Sequence, residues 1–459
     1  MRKFDAIVIG TGQAAPSLAN RLATSGMQVA VAERGRFGGT CVNTGCTPTK
    51  ALVASAYAAQ VAKRAAEYGV MIEQGAVVDM KKVRARKNAI TTRSSQGIER
   101  WLKDNPNCTV YESHARFIGP NHVSVGGEVL TADRIFINVG GRALIPDIPG
   151  LDEVNYLTNS SILDLDFAPP HLIVVGGSYI GLEFAQVFRR FGSEVTVLEM
   201  APRLIAREDE DISQAVTEIL TREGITVHTN VHDIHVSKRN GAVRVAMQSG
   251  GTAQESVGTH ILVAVGRRPN TDDLGLDAAG IAVDTRGYIQ VDDELRTNVN
   301  GVWALGDCNG KGAFTHTAYN DFEIVAANIL DNDTRRVSDR ILSYNLYTDP
   351  PLGRIGMTEA EVGKSGKKAL IATRLMANVS RAVEKGETQG FMKILVDAET
   401  KHVLGAAILG VGGDEVIHSL LTLMYAKAPY TVMQRAMFNH PTVSELLPTM
   451  LGALKPLKD

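Results

Sequence analysis

Phe4–Glu33 reads FDAIVIGTGQAAPSLANRLATSGMQVAVAE, and this stretch decides the architecture of the chain. FDAIVIG is a short apolar run of strand length. A glycine turn follows, then a helical pattern that stops at Gly26. A second apolar run, MQVAVAE, closes on Glu33. Strand, turn, helix and strand make a βαβ unit, and the turn is Gly10-x-Gly12-x-x-Ala15. The first glycine makes a tight turn, the second lets backbone approach a pyrophosphate, and the third, small residue lets helix pack on strand. The pyrophosphate is expected on the helix N-terminus, where free N–H groups and the dipole favour anions. The acid ending the second strand is placed for ribose hydroxyls.

The same design recurs at residues 171–199, HLIVVGGSYIGLEFAQVFRRFGSEVTVLE. Gly10, Gly26, Val29, Val31 and Glu33 match Gly176, Gly192, Val195, Val197 and Glu199, every pair offset by 166 residues. The span from glycine to acid is 23 in both copies (33 − 10 and 199 − 176). One glycine turn is weak evidence; two copies in register are strong. Two dinucleotide sites in one chain imply a flavin and a nicotinamide nucleotide exchanging electrons. Ser178 stands where the second copy should carry its middle glycine, so it either crowds the pyrophosphate or hydrogen-bonds to it. A carboxylate at Glu199 pairs with ribose hydroxyls and repels a 2′-phosphate, which favours NADH over NADPH. Arg203 and Arg207 follow closely and offer an opposing, phosphate-binding reading.

The rest of the composition is that of a large soluble protein. The 459 residues suit two to four domains. Hydrophobic residues make up 44% and charged residues 21%, and the net charge of −2 points to neither nucleic acid nor an anionic membrane. The N-terminal apolar run is too short for a signal peptide, so a cytoplasmic protein is expected. Only four cysteines occur, Cys41, Cys46, Cys108 and Cys308, far too few for a disulfide scaffold. Two of them sit in GGTCVNTGCTPTK (38–50), with four residues between them. Free thiols, a metal clip and a cycling disulfide are the three readings of that pair. The metal clip is the weakest, because no second Cys/His pair at ligand spacing accompanies it.

Taken together, these motifs resemble the class I pyridine nucleotide–disulfide oxidoreductases, the family of dihydrolipoamide dehydrogenase, glutathione reductase and mercuric reductase. The resemblance runs through essentially the whole chain. GTGQAA resembles the FAD fingerprint, GGTCVNTGCTPTK the redox-disulfide motif and GGSYIGLE the nicotinamide site. TNVNGVWALGD (297–307) resembles the second FAD motif, residues 390–410 the start of a dimerisation domain, and HPTVSE (440–445) the catalytic histidine–glutamate motif. Within the family, PPLGRIGMTE (350–359) is most similar to mercuric-reductase-like reductases linked to reactive chlorine and copper stress.

The resemblance implies an α/β fold with two Rossmann-like dinucleotide-binding domains and an α+β C-terminal dimerisation domain. The expected spans are 1–150 for the first part of the FAD domain, 151–280 for the NAD(P) domain, 281–335 for the second, central FAD part and 340–459 for dimerisation. It further implies that NAD(P)H reduces FAD and that reduced flavin opens a Cys41–Cys46 disulfide. Cys46 then lies against the flavin as a charge-transfer thiolate while Cys41 faces substrate. Thr47 as N-cap and Pro48 as first helical residue put Cys46 beside a helix N-terminus, with Lys50 one turn on, and both favour thiolate. Lys50 is expected to pair with Glu183 near the flavin, and Tyr179 to gate the nicotinamide face. His440 and Glu445 are the acid/base pair, reaching into the site of a second subunit and so implying a homodimer; Leu446 replaces a second glutamate found in many relatives. The flavin site is expected to include Gly10, Gly12, Ala15, Glu33, Thr40, Lys50, His114, Ala115, Asp307 and His316. The nicotinamide site is expected to include Gly176, Ser178, Tyr179, Ile180, Gly181, Glu199 and Gly266. No resident metal is expected. Cys308 reads as a small buried residue. The acceptor is a disulfide, a quinone or a metal ion. The ending LGALKPLKD has no cysteine pair, which disfavours efficient Hg(II) handoff. Two alternatives stand beside this reading: a lipoamide dehydrogenase, weakly disfavoured by Thr44, Thr47 and Thr49, and a redox sensor, which needs no turnover base.

Overall fold

The computed structural model describes residues 1–457. Arg2–Ile9 forms the central strand of a seven-stranded sheet, pairing in parallel with Val29–Ala32 on one side and Glu128–Ile137 on the other. Cys108–Tyr111 extends the parallel part beyond Val29–Ala32, while His122–Val125 and Ala115–Gly119 add an antiparallel hairpin at the other end. The helix Ala15–Thr24 buries Ala15, Leu18, Ala19 and Leu22, the i, i+3, i+4, i+7 stripe of a helix lying on a sheet.

The second unit repeats the first to the residue. Ala6, Ile7, Val8 and Ile9 pair with Val29, Ala30, Val31 and Ala32. Leu172, Ile173, Val174 and Val175 pair with Val195, Thr196, Val197 and Leu198, the same register displaced by 166. Its sheet runs Ile225–His228, Glu194–Leu198, His171–Val175, His260–Val263, all parallel, and a three-stranded antiparallel sheet over His232–Gly258 packs beside it. Strands buried on both faces explain the unbroken apolar runs.

The chain then returns to the first sheet. Val302–Ala304 pairs in parallel with Glu128–Ile137, which brings Asp307 and the helix Thr315–Leu330 back to the first unit. The remaining residues build a six-stranded antiparallel sheet of Ser343–Leu346, Leu352–Gly356, Val403–Leu409, Phe391–Asp397, Ala369–Leu375 and Lys455–Pro456, with helices packed against it. The fold is therefore α/β, two Rossmann-like units and an α+β C-terminal unit. Buried charge ties the last two together. Lys393, 1% exposed, places its ammonium 3.0 Å from Asp209 and 2.7 Å from Asp211 and also bonds Glu359. Arg354, equally buried, lies 3.3 Å from Asp209. The carboxylates of Asp209, Asp211 and Glu359 thus gather around Lys393, with Arg354 as a second cation beside Asp209. Among the described residues no helix is long and apolar enough to cross a membrane.

Candidate active site

Both glycine turns open onto one continuous cleft of about 2520 Å³. At each turn the acid ending the second strand is held by two backbone amides. Thr11 N and Gly35 N donate to Glu33 at 2.9 and 2.8 Å. Gly177 N and Ala201 N donate to Glu199 at 2.6 and 2.7 Å, again offset by 166. Neither following helix is capped by the side chain of its own N-cap residue; in the first helix the Ala15 N–H is taken by Asn138, and in the second no side chain bonds the first turn from the cap position. Ser178 occupies the cap position of the second helix; its backbone O accepts from Leu182 N, and its side chain makes no cap bond. Packing explains the small residues. A Cβ on Gly181 would meet Gly176 O at 2.0 Å, and one on Gly12 would meet Asn138 Oδ1 at 2.6 Å. Asn138, which sequence reading missed, accepts from Ala15 N and donates to Leu305 O, locking the first turn to the returning segment. Its only signal is a polar residue inside the apolar run RIFINV. Ala15 and Gly181 serve this helix packing rather than lining the cleft.

Cys41 lies in the short helix Gly39–Asn43 and Cys46 opens the helix Cys46–Lys63. The cap of that helix is Gly45, not Thr47. Cys46 already has helical backbone, so the sulfur sits on the first turn itself, closer to the dipole than expected. Both cysteines are free thiols, and Thr315 touches each: its Oγ1 lies 3.0 Å from Cys41 Sγ and 3.2 Å from Cys46 Sγ. The two sulfurs differ sharply in acidity. The hydrogen bond from Cys41 is the main cause that brings the Cys46 thiol down to about 6, helped by Thr315 and the charge of Lys50, against burial and Glu183. The same bond, burial and the charge on Cys46 push Cys41 far up. Cys46 is therefore the thiolate of the pair. Thr315 has no sequence signature beyond following a glycine-rich loop.

Lys50 Nζ bonds Glu183 Oε2 at 2.6 Å and sits 4.6 Å above the ring of Tyr347, whose own N–H donates to Glu183 Oε1. The buried carboxylate of Glu183 is thus fully partnered. Tyr179 is the first residue of its helix and Glu183 stands one turn on, so the two share a face. The Tyr179 ring meets Phe314 and Tyr344 edge-on, at 6.4 and 5.5 Å, and Ile180 lines the cleft beside it.

On the side of the first turn, Asp307 lines the cleft and lies 3.3 Å from Arg267. Burial raises its carboxyl and Arg267 opposes the rise. Thr40 donates to Gly141 O, as does Arg267, and Gly266 precedes that arginine in a left-handed turn. His114 pairs with Asp273 O at 3.2 Å, and Ala115 opens its strand beside it. His316 stacks on Phe314 and donates from Nε2 to Ser343 O. All of these line the cleft; His440 and Glu445 do not. His440 has 72% of its side chain exposed on the C-terminal unit, with Nδ1 held 3.0 Å from Glu445 Oε1. Cys308 is wholly buried, its thiol pushed up to about 12 by desolvation, and half-buried Cys108 is pushed up to about 11 by the same cause.

The residues present fit two dinucleotides: two helix N-termini uncapped by their own N-cap side chains, two acids set at the ribose position and one cleft joining them past a thiol pair. Comparison with known proteins agrees. The family model described as pyridine nucleotide-disulphide oxidoreductase matches residues 4–321, and its dimerisation domain matches 343–451. The chain is 35% identical to the probable pyridine nucleotide-disulfide oxidoreductase RclA of Escherichia coli, over 99% of this chain and 100% of that one. It is 34% identical to a dihydrolipoyl dehydrogenase of Cupriavidus necator, over 97% of both chains. It is 33% identical to a mercuric reductase of Streptomyces lividans, over 98% of this chain and 95% of that one. A solved structure, the Cu(II) complex of the HOCl-induced flavoprotein disulfide reductase RclA from Escherichia coli, superposes with a TM-score of 0.90 at 34% identity, covering 99% of this chain and 100% of that one. The chain therefore belongs to the class I pyridine nucleotide–disulfide oxidoreductases, enzymes that bind FAD and use NAD(P)H.

Proposed function

We propose that this enzyme passes electrons from NADH through FAD to a Cys41–Cys46 disulfide, and from the resulting dithiol to a thiophilic acceptor, Cu(II) foremost. The observation that carries the reading is the sulfur pair itself: two thiols of opposite acidity, joined by one hydroxyl, in the cleft that connects two nucleotide turns. Bound FAD supplies hydride acceptance from the nicotinamide and electron delivery to the disulfide. The protein does the rest. Gly10, Gly12, Glu33, Thr40, His114, Ala115, Asp307 and His316 hold the flavin nucleotide, with Ala15 keeping the first helix close. Gly176, Ser178, Ile180, Glu199 and Gly266 hold the nicotinamide nucleotide over Gly181, and the ring of Tyr179 gates its nicotinamide. Reduction breaks the S–S bond with two electrons and one proton, leaving Cys46 as thiolate and Cys41 as thiol. Two Cu(II) ions then take one electron each, the S–S bond re-forms and the Cys41 proton leaves. Lys50, partnered by Glu183, stabilises the charge on Cys46.

The departing proton needs a base, and no His440 stands in this chain's own cleft. His440 of the partner subunit, oriented by its Glu445, is that base, and the active site is shared across a homodimer. The spans 1–150, 151–280, 281–335 and 340–459 are the domain divisions this reading uses. NADH is favoured by Glu199, fixed at the ribose position, and by Arg203, tied to Ala206 O and Glu208 O, against Arg207, which lines the cleft. Copper is favoured by the Cu(II) complex of the structural relative.

Anaerobic titration with NADH, followed by a panel of Cu(II), glutathione disulfide, lipoamide and a quinone, tests this. A long-wavelength band is expected at the two-electron stage, absent in Cys46→Ser, and Cu(II) turnover is expected to vanish in Cys41→Ser. Persistent Cu(II) turnover in Cys41→Ser removes the disulfide from the path. Faster reduction of lipoamide than of Cu(II) makes the chain a lipoamide dehydrogenase instead.

A further inference from the structure

Glu208 follows the second unit's acid by nine residues and belongs to no motif. Its side chain is wholly buried at the seam between the second unit and the C-terminal sheet. Two phenols converge on one of its oxygens: Tyr344 OH donates to Oε1 at 2.6 Å and Tyr179 OH at 3.3 Å. The other oxygen, Oε2, has no hydrogen-bond partner, and the guanidinium of buried Arg354 lies 3.7 Å away. A desolvated carboxylate with a nearby but imperfectly engaged cation keeps its strongest claims on the two hydroxyls.

The position of Tyr179 gives this contact its meaning. The ring stands between the second glycine turn and Phe314, the residue just before Thr315, whose hydroxyl touches both sulfurs. A nicotinamide ring approaching the thiol side from Gly176 crosses the space this phenol fills. We infer that Glu208 is a latch: it positions Tyr179 across the cleft through the phenol hydroxyl, and nicotinamide entry requires that bond to break. The inference rests on the proposed role of Tyr179 and adds the residue that controls it. Arg354 and Tyr344 extend the latch into the C-terminal sheet, so the gate is anchored in a different unit from the one that carries it.

The test is calorimetric binding of NAD⁺ to FAD-loaded enzyme, with no turnover involved. Glu208→Gln keeps the shape and removes the charge, and it is expected to lower the Kd for NAD⁺ by about threefold, the difference between a charged and a neutral acceptor. Tyr179→Phe deletes the donor of the same bond and is expected to tighten NAD⁺ by at least as much, because an amide oxygen at position 208 still accepts from the phenol. The double variant is expected to match Tyr179→Phe, because with the phenol hydroxyl gone the side chain at position 208 no longer acts on the gate. Additive effects, or an unchanged Kd in both singles, overturn the latch. Should Glu208→Gln fail to fold, an unchanged Kd in Tyr179→Phe overturns it alone. Tyr179→Ala separates the layers. A changed Kd there with unchanged Tyr179→Phe sinks only the latch, whereas an unchanged Kd in Tyr179→Ala removes the gate and the latch with it.

Discussion

A thiol ionising at about 6 beside one that stays protonated gives this enzyme a built-in direction. The physical cause is local. One S–H donates to the neighbouring sulfur, a lysine stands one turn away, and the acceptor sulfur sits on the first turn of an 18-residue helix. Because Cys46 is an acid whose value is depressed in the fold, it is charged above about pH 6 and neutral below. Alkylation of the reduced enzyme by iodoacetamide should therefore rise with pH to a plateau with its midpoint near that value. The modified residue should be Cys46, as peptide mapping would show. Thr315→Val, which deletes a hydroxyl from both sulfurs, should move the midpoint upward by about one unit, and Thr315→Ser should restore it. A midpoint unmoved in Thr315→Val would separate that hydroxyl from the thiolate.

At the scale of elements, the two βαβ units show what a sequence can and cannot carry. Strand pairing, register and the placement of Glu33 and Glu199 follow from glycine spacing and apolar runs, because those patterns are consequences of backbone geometry. The pairing of Lys50 with Glu183 was expected only from family likeness. Asn138, Thr315, Arg267 and Glu208 were not legible at all. Each acts through a contact made across more than a hundred residues, Arg267 through Gly141 O, and a contact of that kind leaves no local period or spacing. The helix start at Cys46 was also misplaced by a residue or two, since Gly45 caps it by conformation and offers no side chain to recognise. The third glycine of the second turn makes a sharp test of the repeat. Gly181→Ala drives a Cβ into Gly176 O, so it should abolish flavin reduction by NADH while the protein remains yellow. Loss of bound FAD in that variant would mean that the two units do not behave as separate sites.

For the whole molecule, the exposed His440–Glu445 pair is the feature that calls for a second copy. If the active site is shared, Cys46→Ser and His440→Ala are each inactive alone, yet a mixed dimer keeps one intact site. Random reassembly of the two variants should recover about a quarter of the wild-type rate, since half the dimers are mixed and each carries one working site. Activity that stays at background would place the base within its own chain. The seam between the second and C-terminal units is held by buried charge rather than by apolar contact alone. Lys393→Met removes the cation shared by Asp209, Asp211 and Glu359, leaving only Arg354 beside Asp209, and should cost about 3 kcal/mol, read as a lower unfolding temperature of the holoenzyme.

The burial of Cys108 and Cys308 has a consequence for life under oxidants. With thiols held at about 11 and about 12, neither ionises at neutral pH, and neither presents the anion that peroxides and hypohalous acids attack. Among the four cysteines, oxidation is thereby directed to Cys46. A sulfenic acid formed there finds Cys41 at hand and condenses to the disulfide before further oxygen can be added. If Cys41 and Cys46 cycle as proposed, the first product of thiol oxidation is an intermediate of the enzyme's own turnover, and the next reducing equivalent from the nicotinamide returns it to the dithiol.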